Sequence, residues 1–264
     1  MVIIVFFVAH WFLSLFCQTF FLHRYAAHKM STMSKFWERT FYIVTFITQG
    51  SSFLNPRAYA IMHRMHHAYS DTEKDPHSPH YFRSMFTMMW RTKDIYLGYL
   101  LHRVEPEKGF DKNIPEWKAF DKFADSWTVR FIWVGVYVLF YVAFAPSAWF
   151  FVLLPFDFIM GPIHGGIVNW CGHKYGYVNF RDTGDISKNS LPFDFLTLGE
   201  LFQNNHHKFP SRTNFAVRLF EIDPTYPLIK LLSLMRVIRL SKPTEAVQAQ
   251  ATRGNGTFAG RRTC

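Results

Sequence analysis

Charge-free stretches, more than amphipathic periodicity, organise this chain. Residues 1–22, MVIIVFFVAHWFLSLFCQTFFL, contain no Asp, Glu, Lys or Arg, and as a helix rising 1.5 Å per residue such a run can cross a hydrocarbon core. It lacks the basic start of a secretory signal, and its apolar stretch exceeds the roughly 7–15 residues of one. A spanning helix is therefore predicted. Residues 131–172 carry one charge, Asp157, and are interrupted at Ala145-Pro146-Ser147, which predicts a helical hairpin of two apolar arms. Residues 40–55 are also uncharged but hold Thr45, Thr48, Gln49, Ser51 and Ser52, so a buried or re-entrant helix is predicted there. The segment YPLIKLLSLMRVIRL, residues 226–240, sets Lys230, Arg236 and Arg239 among leucines, as in a helix lying at a membrane surface. From residue 241 onward the chain is polar and reads as a loose tail, dividing it into a folded domain over 1–240 and a disordered segment over 241–264. No repeat of solenoid period is visible.

Composition alone hides this organisation. Mean hydropathy is close to zero, because charge-free stretches and strongly basic ones cancel. All 29 Lys and Arg fall in two blocks, 16 from Arg24 to Arg130 and 13 from Lys174 to Arg262. One crossing followed by a hairpin puts both blocks on one side, and the bias of Lys and Arg toward the cytoplasm makes that side cytoplasmic. The formal charge of +10 is thus expected to face a membrane surface, and no nucleic-acid partner is expected. Three cysteines, Cys17, Cys171 and Cys264, exclude a disulfide scaffold. The 30 Phe, 12 Tyr and 8 Trp exclude global disorder. The expected fold class is all-α: an integral membrane helical protein with about three transmembrane helices and a cytoplasmic helical cap.

Thirteen histidines are the remaining anomaly. His23 and His28 end the first apolar run; five residues apart on a straight α-helix they diverge by about 140°, so they converge only if the helix frays or the site sits in a notch. His63, His66 and His67 occupy i, i+3 and i+4 and share a helix face. Gln203, His206 and His207 repeat that spacing with an amide in first place. Asn169 and His173 lie at the end of the second hairpin arm. Each cluster adjoins, or can fold back to, the cytoplasmic end of an apolar segment. Imidazole suits Zn, Cu, Fe and Ni, no thiolate pair is present for structural zinc, and about eight histidines exceed what one ion can take. Two ions are implied. His10 and His164, inside apolar segments, read as hydrogen-bonded structural or channel residues; His77 and His80 read as supporting or surface groups.

The succession H-x4-H, H-x2-H-H, N-x3-H and Q-x2-H-H, with Asp75-Pro76-His77-Ser78 after the second box and Gly199-Glu200 before the third, resembles the membrane fatty acyl desaturases, the stearoyl-CoA desaturase group in particular, from about residue 20 to about residue 210. The resemblance implies a di-iron enzyme that introduces a cis double bond into a saturated acyl chain. It uses O2 as cosubstrate and electrons from a separate ferredoxin, rubredoxin or cytochrome-type donor. Its metal ligands would be His23, His28, His63, His66, His67, His173, His206 and His207, with Asn169 holding a water against one iron. The expected substrate is an acyl-CoA, or another acyl thioester or lipid, with Arg57, Arg83, Arg91 and Lys93 as candidates for its head group. Departures are specific. Gln203 stands where stearoyl-CoA-type enzymes usually have His, and activity is expected to survive Gln203→His. Ile61-Met62 stands where the animal enzymes usually have Arg-Asp. The chain begins at the helix leading into the first box, so three crossings are expected where the animal enzymes have four. A related histidine-box hydroxylase or ketolase, and a membrane metal or haem carrier, are the rival expectations.

Overall fold

A computed structural model describes residues 1–241; the tail expected over 241–264 lies, apart from Ser241, outside the described residues. Ser241 itself is tied down, its N–H donating to the Met30 carbonyl at 2.9 Å and its hydroxyl to that of Lys29 at 2.8 Å.

The first apolar run forms helix α1, Val2–Cys17, which continues without a break as a π-helical stretch, Gln18–Ala27. Together they make a 26-residue span, longer than the charge-free run because Arg24 is inside it. Its outer residues Val5, Val8 and Leu13 are exposed while Leu15, Phe20 and Phe21 are buried. Apolar side chains outward, with backbone groups bonded within the helix, is what a bilayer requires. Helix α2, Lys35–Gln49, is capped by Ser34, whose hydroxyl accepts from the Trp37 N–H. It buries Phe41, Tyr42 and Thr45 and exposes Ile43, Val44 and Ile47. It stops at Gly50, whose φ of +52° a side chain rarely adopts, and whose Cβ would lie 1.8 Å from the Tyr137 hydroxyl. This amphipathic helix is the structure of the uncharged 40–55 stretch, and it is not among the helices long and apolar enough to span.

Helix α3, Pro56–Tyr69, starts at an Asn55 cap accepting from the Arg57 and Ala58 N–H groups at 2.9 and 3.1 Å, with proline at the first helical position where its missing N–H costs nothing. Helices α4 (Met85–Leu100) and α5 (Lys118–Ala124) follow. The hairpin's first arm is α6, Trp127–Phe144, which is long and apolar enough to span. The second arm is not one helix. A 3-10 stretch and α7, Leu154–Phe158, meet α8, Met160–Lys174, at an angle of 71°. Pro162 has no N–H to carry the ladder across the joint to Phe158, and the chain breaks at Ile159. Among the described residues, two helices are long and apolar enough to span a membrane, or three if the bent pair is one.

Asp157, the single charge in the hairpin, is fully buried at the bend. It accepts from His10 Nδ1 and from the Tyr141 hydroxyl, both at 2.7 Å, which relieves the cost of a carboxylate in an apolar layer. His10 is thus a hydrogen-bonded structural residue.

Helices α9 (Gln203–Lys208) and α10 (Thr225–Leu234) complete the helical set. The expected surface helix ends at Leu234, and strand β2, Ile238–Leu240, pairs antiparallel with β1, Ser31–Met33. The molecule is mostly helical as expected, with this one short ribbon as the exception to an all-α description among the described residues. Phe20, Phe21, Phe41, Tyr42, Phe53 and Ile238 form the main core, which fixes the end of the first span against α2, α3 and the ribbon.

Candidate metal centre

The π-helical stretch resolves the geometry of the first histidine pair. An i→i+5 ladder widens the turn and brings residues five apart much closer around the axis than an α-helix does, and the His28 N–H donates to the His23 carbonyl at 3.1 Å. The two rings, divergent on an α-helix, come to 5.0 Å between centroids. His63 and His67 reach the same point from α3, and His206 from α9.

These five imidazoles form one group. Their Nε2 atoms converge: His23 to His206 at 3.0 Å, His28 to His63 at 2.6 Å, His67 to His63 at 3.1 Å and His67 to His206 at 2.9 Å. His23 directs its Nδ1 at Glu200 Oε2, 2.5 Å away. The observed spacings fit a shared cation. Glu200 is held in turn by Arg24 Nη1 at 3.0 Å and by the Thr19 hydroxyl, and Arg24 Nη2 also meets Asp223 at 2.9 Å.

His66, His173 and His207 form a second group, joined to the first where the His67 and His207 rings approach to 4.5 Å. Each has a carboxylate behind it. His66 Nδ1 lies 2.9 Å from Asp75, His173 Nδ1 lies 2.9 Å from Asp71, and His207 Nδ1 bonds Asp185. All three Nε2 atoms are buried and make no hydrogen bond. A carboxylate on Nδ1 fixes the tautomer, aims the ring and raises the basicity of the other nitrogen, which is how metal-bound histidines are supported. His77, whose N–H donates to Asp75, packs its ring 4.5 Å from His66, and His80 Nε2 meets the His173 carbonyl at 3.1 Å.

The electrostatics agree with this division. Burial, and then repulsion from neighbouring imidazoles, hold His28, His63, His67 and His206 well below the ordinary histidine range. They are neutral at pH 7 and available as donors. Burial outweighs Asp185 and takes His207 to about 4. At His66 burial acts downward, but Asp75 more than offsets it and the value rises; burial of Asp75 is likewise overcome by His66, and its carboxyl falls.

A cavity of about 1010 Å³ opens against the histidines. His63, His77, Asn169, Glu200 and Gln203 line one end, and Leu15, Phe53, Leu54, Met89 and Val168 are among the apolar residues beyond them. His164 lines it too, fully buried with its ring against Trp11 at 4.5 Å.

The structure gathers all eight candidate histidines into the two groups and sets Asn169 and Gln203 in the cavity wall. It scatters the basic candidates. Lys93 is in the wall, stacked on Trp90 at 3.7 Å. Arg57 reaches the Tyr99 carbonyl and Glu116 beside a smaller cavity, and Arg83 and Arg91 are exposed outside both linings. Sequence reasoning misses Asp71 and Asp185 entirely and finds Asp75 and Glu200 only as parts of motifs. It also misses Arg103 and Arg130, which line the cavity.

The fatty acid desaturase family model matches residues 1–231. This chain belongs to the fatty acid desaturase family. It is 30% identical to an sn-1 stearoyl-lipid 9-desaturase of Synechocystis sp., over 86% of this chain and 68% of that protein. It is 28% identical to the Delta-9 desaturase-like 5 protein of Arabidopsis thaliana, over 88% and 74%. An acyl-CoA 5-desaturase of Anemone leveillei is 28% identical over 83% of this chain and 65% of that protein. Desaturases of this family are generally di-iron proteins, and both histidine groups here could hold metal.

Proposed function

We propose that this desaturase introduces a cis double bond into a saturated fatty acyl chain held in the 1010 Å³ cavity. The domain doing so spans 1–240, with the two histidine groups at the cytoplasmic end of the spans, where the Lys and Arg lie. O2 is the oxidant and is reduced to water. The two electrons it requires beyond those of the C–H bonds come from a separate ferredoxin, rubredoxin or cytochrome-type donor. The observation that carries the reading is the convergence of eight imidazoles, four of them backed by carboxylates, in two groups beside a largely apolar cavity that His63 lines.

Two irons bound by His23, His28, His63, His67 and His206 and by His66, His173 and His207 would supply the oxidising power that an unactivated C–H bond demands. The chain's own residues do the rest. Asp71, Asp75, Asp185 and Glu200 orient the imidazoles. Leu15, Leu54, Met89 and Val168 exclude water from the acyl chain and hold it beside the histidines. Asn169 presents its amide on the cavity side.

The acyl carrier is read as CoA. Lys93 and Arg103 stand in the cavity wall, and Arg57, Lys118 and Lys122 line the smaller cavity that adjoins it at Leu100, Leu101, Asp125 and Ser126. Expression in a host lacking monounsaturated fatty acids, followed by lipid mass spectrometry, should yield a new double bond that disappears in His206→Ala. A hydroxylated or keto product in its place would reject desaturation.

A further inference from the structure

The two histidine groups are chemically unequal. One offers five imidazoles, the other three. Two amides stand in a matched arrangement beside members of the smaller group. Asn169 precedes His173 by four residues on α8, and Gln203 precedes His207 by four on α9, so each amide sits one helical turn from a group member on the same face. Both line the cavity. Both amides are also locked. Asn169 Nδ2 donates to the Gly165 carbonyl at 2.9 Å, and Gln203 Nε2 donates to the Glu200 carbonyl at 2.6 Å. Each nitrogen is thereby engaged, and each oxygen is left as the free acceptor. Gly172 keeps Gln203 close, since a Cβ there would fall 2.3 Å from its Cγ.

We propose that the two metal positions differ in affinity, that the three-imidazole position is the exchangeable one, and that Gln203 sets the difference. The inference rests on the di-metal reading above. On the cavity side an ion at His66, His173 and His207 has the two neutral amide oxygens and the unpartnered ring of His77, fewer imidazoles in all than the other group offers. An ion at the five-imidazole group has strong nitrogen donors on most sides and Glu200 behind one of them. Imidazole is the better donor for late first-row ions and for iron, whereas amide oxygens suit harder cations. Metal loss at this position would inactivate the protein reversibly while the five-imidazole ion remains.

The test uses the full chain in detergent micelles, loaded anaerobically with Fe(II) and titrated with a competing chelator, with iron per chain read by mass spectrometry. The wild type should release iron in two steps separated by at least about tenfold in chelator, the low end of what altering a supporting group does to metal affinity. Gln203→His should bring the first step toward the second, and Gln203→Leu should move it further away. The second step serves as the internal control for folding and should stay fixed in both variants. Release of both ions in one step from the wild type would overturn the inference, as would a first step that Gln203→His leaves unmoved. A helical chain that takes up no iron would instead sink the di-metal reading.

Discussion

Replacing Asp75 with Asn should loosen the three-imidazole group and destabilise the metal-free protein. Asp75 is 6% exposed, and its oxygens accept from His66 Nδ1 at 2.9 and 3.0 Å, from the Asp71 N–H at 2.9 Å and from the His77 N–H at 3.0 Å. Asparagine keeps one acceptor oxygen and turns an NH2 toward the other donors. At least one buried donor is stranded, at about 1–3 kcal/mol. For a domain of this size a loss of about 2 kcal/mol lowers the thermal midpoint by about 4–8 °C. Iron affinity of the group should fall about 10–100-fold, because the imidazole loses the partner that aims it. The pH dependence follows from two opposite shifts. Asp75 is depressed when folded, so its contribution is present above the unfolded value near 3.9 and is lost as pH falls through the folded one. His66 is raised when folded, so its contribution is complete below the unfolded value near 6.5 and is lost as pH rises through the folded one. The metal-free wild type should therefore gain most from the pair between about pH 4 and 6.5, and the Asn variant should lack that gain. Differential scanning fluorimetry across this range, with and without Fe(II), measures both effects. A variant melting within about 1 °C of the wild type at pH 5.5, with unchanged iron release, would refute the role given to Asp75.

Three further outcomes are expected. Gly172→Ala places a Cβ 2.3 Å from Gln203 Cγ, so Gln203 must shift; the cost should be about 1–3 kcal/mol, visible as a lower thermal midpoint and a displaced first iron-release step. Asp157→Leu strands His10 Nδ1 and the Tyr141 hydroxyl in the apolar layer, and should cost about 2–5 kcal/mol, with Asp157→Asn milder, both read by unfolding in detergent. Gly165→Leu puts bulk into the cavity wall opposite Gln18 and should reduce turnover of long acyl chains more than short ones in a chain-length series.

The parts of this molecule that the sequence reveals are those with a local signature. The first span is readable because no charge interrupts it. Its length is underestimated because Arg24, inside the helix, is paired by Glu200 and Asp223, 176 and 199 residues away. The hairpin is readable from its single charge and its Ala-Pro-Ser turn. The 71° bend in its second arm does not follow from that reading, although Pro155 and Pro162 suggest it. The ribbon between 31–33 and 238–240 has no signal at all: three-residue strands paired across the whole chain carry too few positions for a period-two pattern.

The candidate centre divides in the same way, and the division has a physical reason. Imidazoles that one helix contributes to a shared centre need a regular spacing on that helix, so H-x2-H-H is readable from the sequence alone as a face of α3, although His66 joins a different group from His63 and His67. The exception, H-x4-H, is divergent only on a straight α-helix; the π-ladder from Gln18 to Ala27, closed by the His28 N–H on the His23 carbonyl, supplies the missing rotation. Carboxylates that support those imidazoles need no such spacing. Asp71 reaches His173 from 102 positions away and Asp185 reaches His207 from 22, each on an irregular segment, Asp71 with a φ of +56°. A supporting residue is constrained by where the ligand's far nitrogen points, which is a tertiary fact. For that reason the ligand set of such a centre is legible in one sequence, whereas the groups that tune the two ions apart become legible only once α8, α9 and the 71–78 loop are seen together.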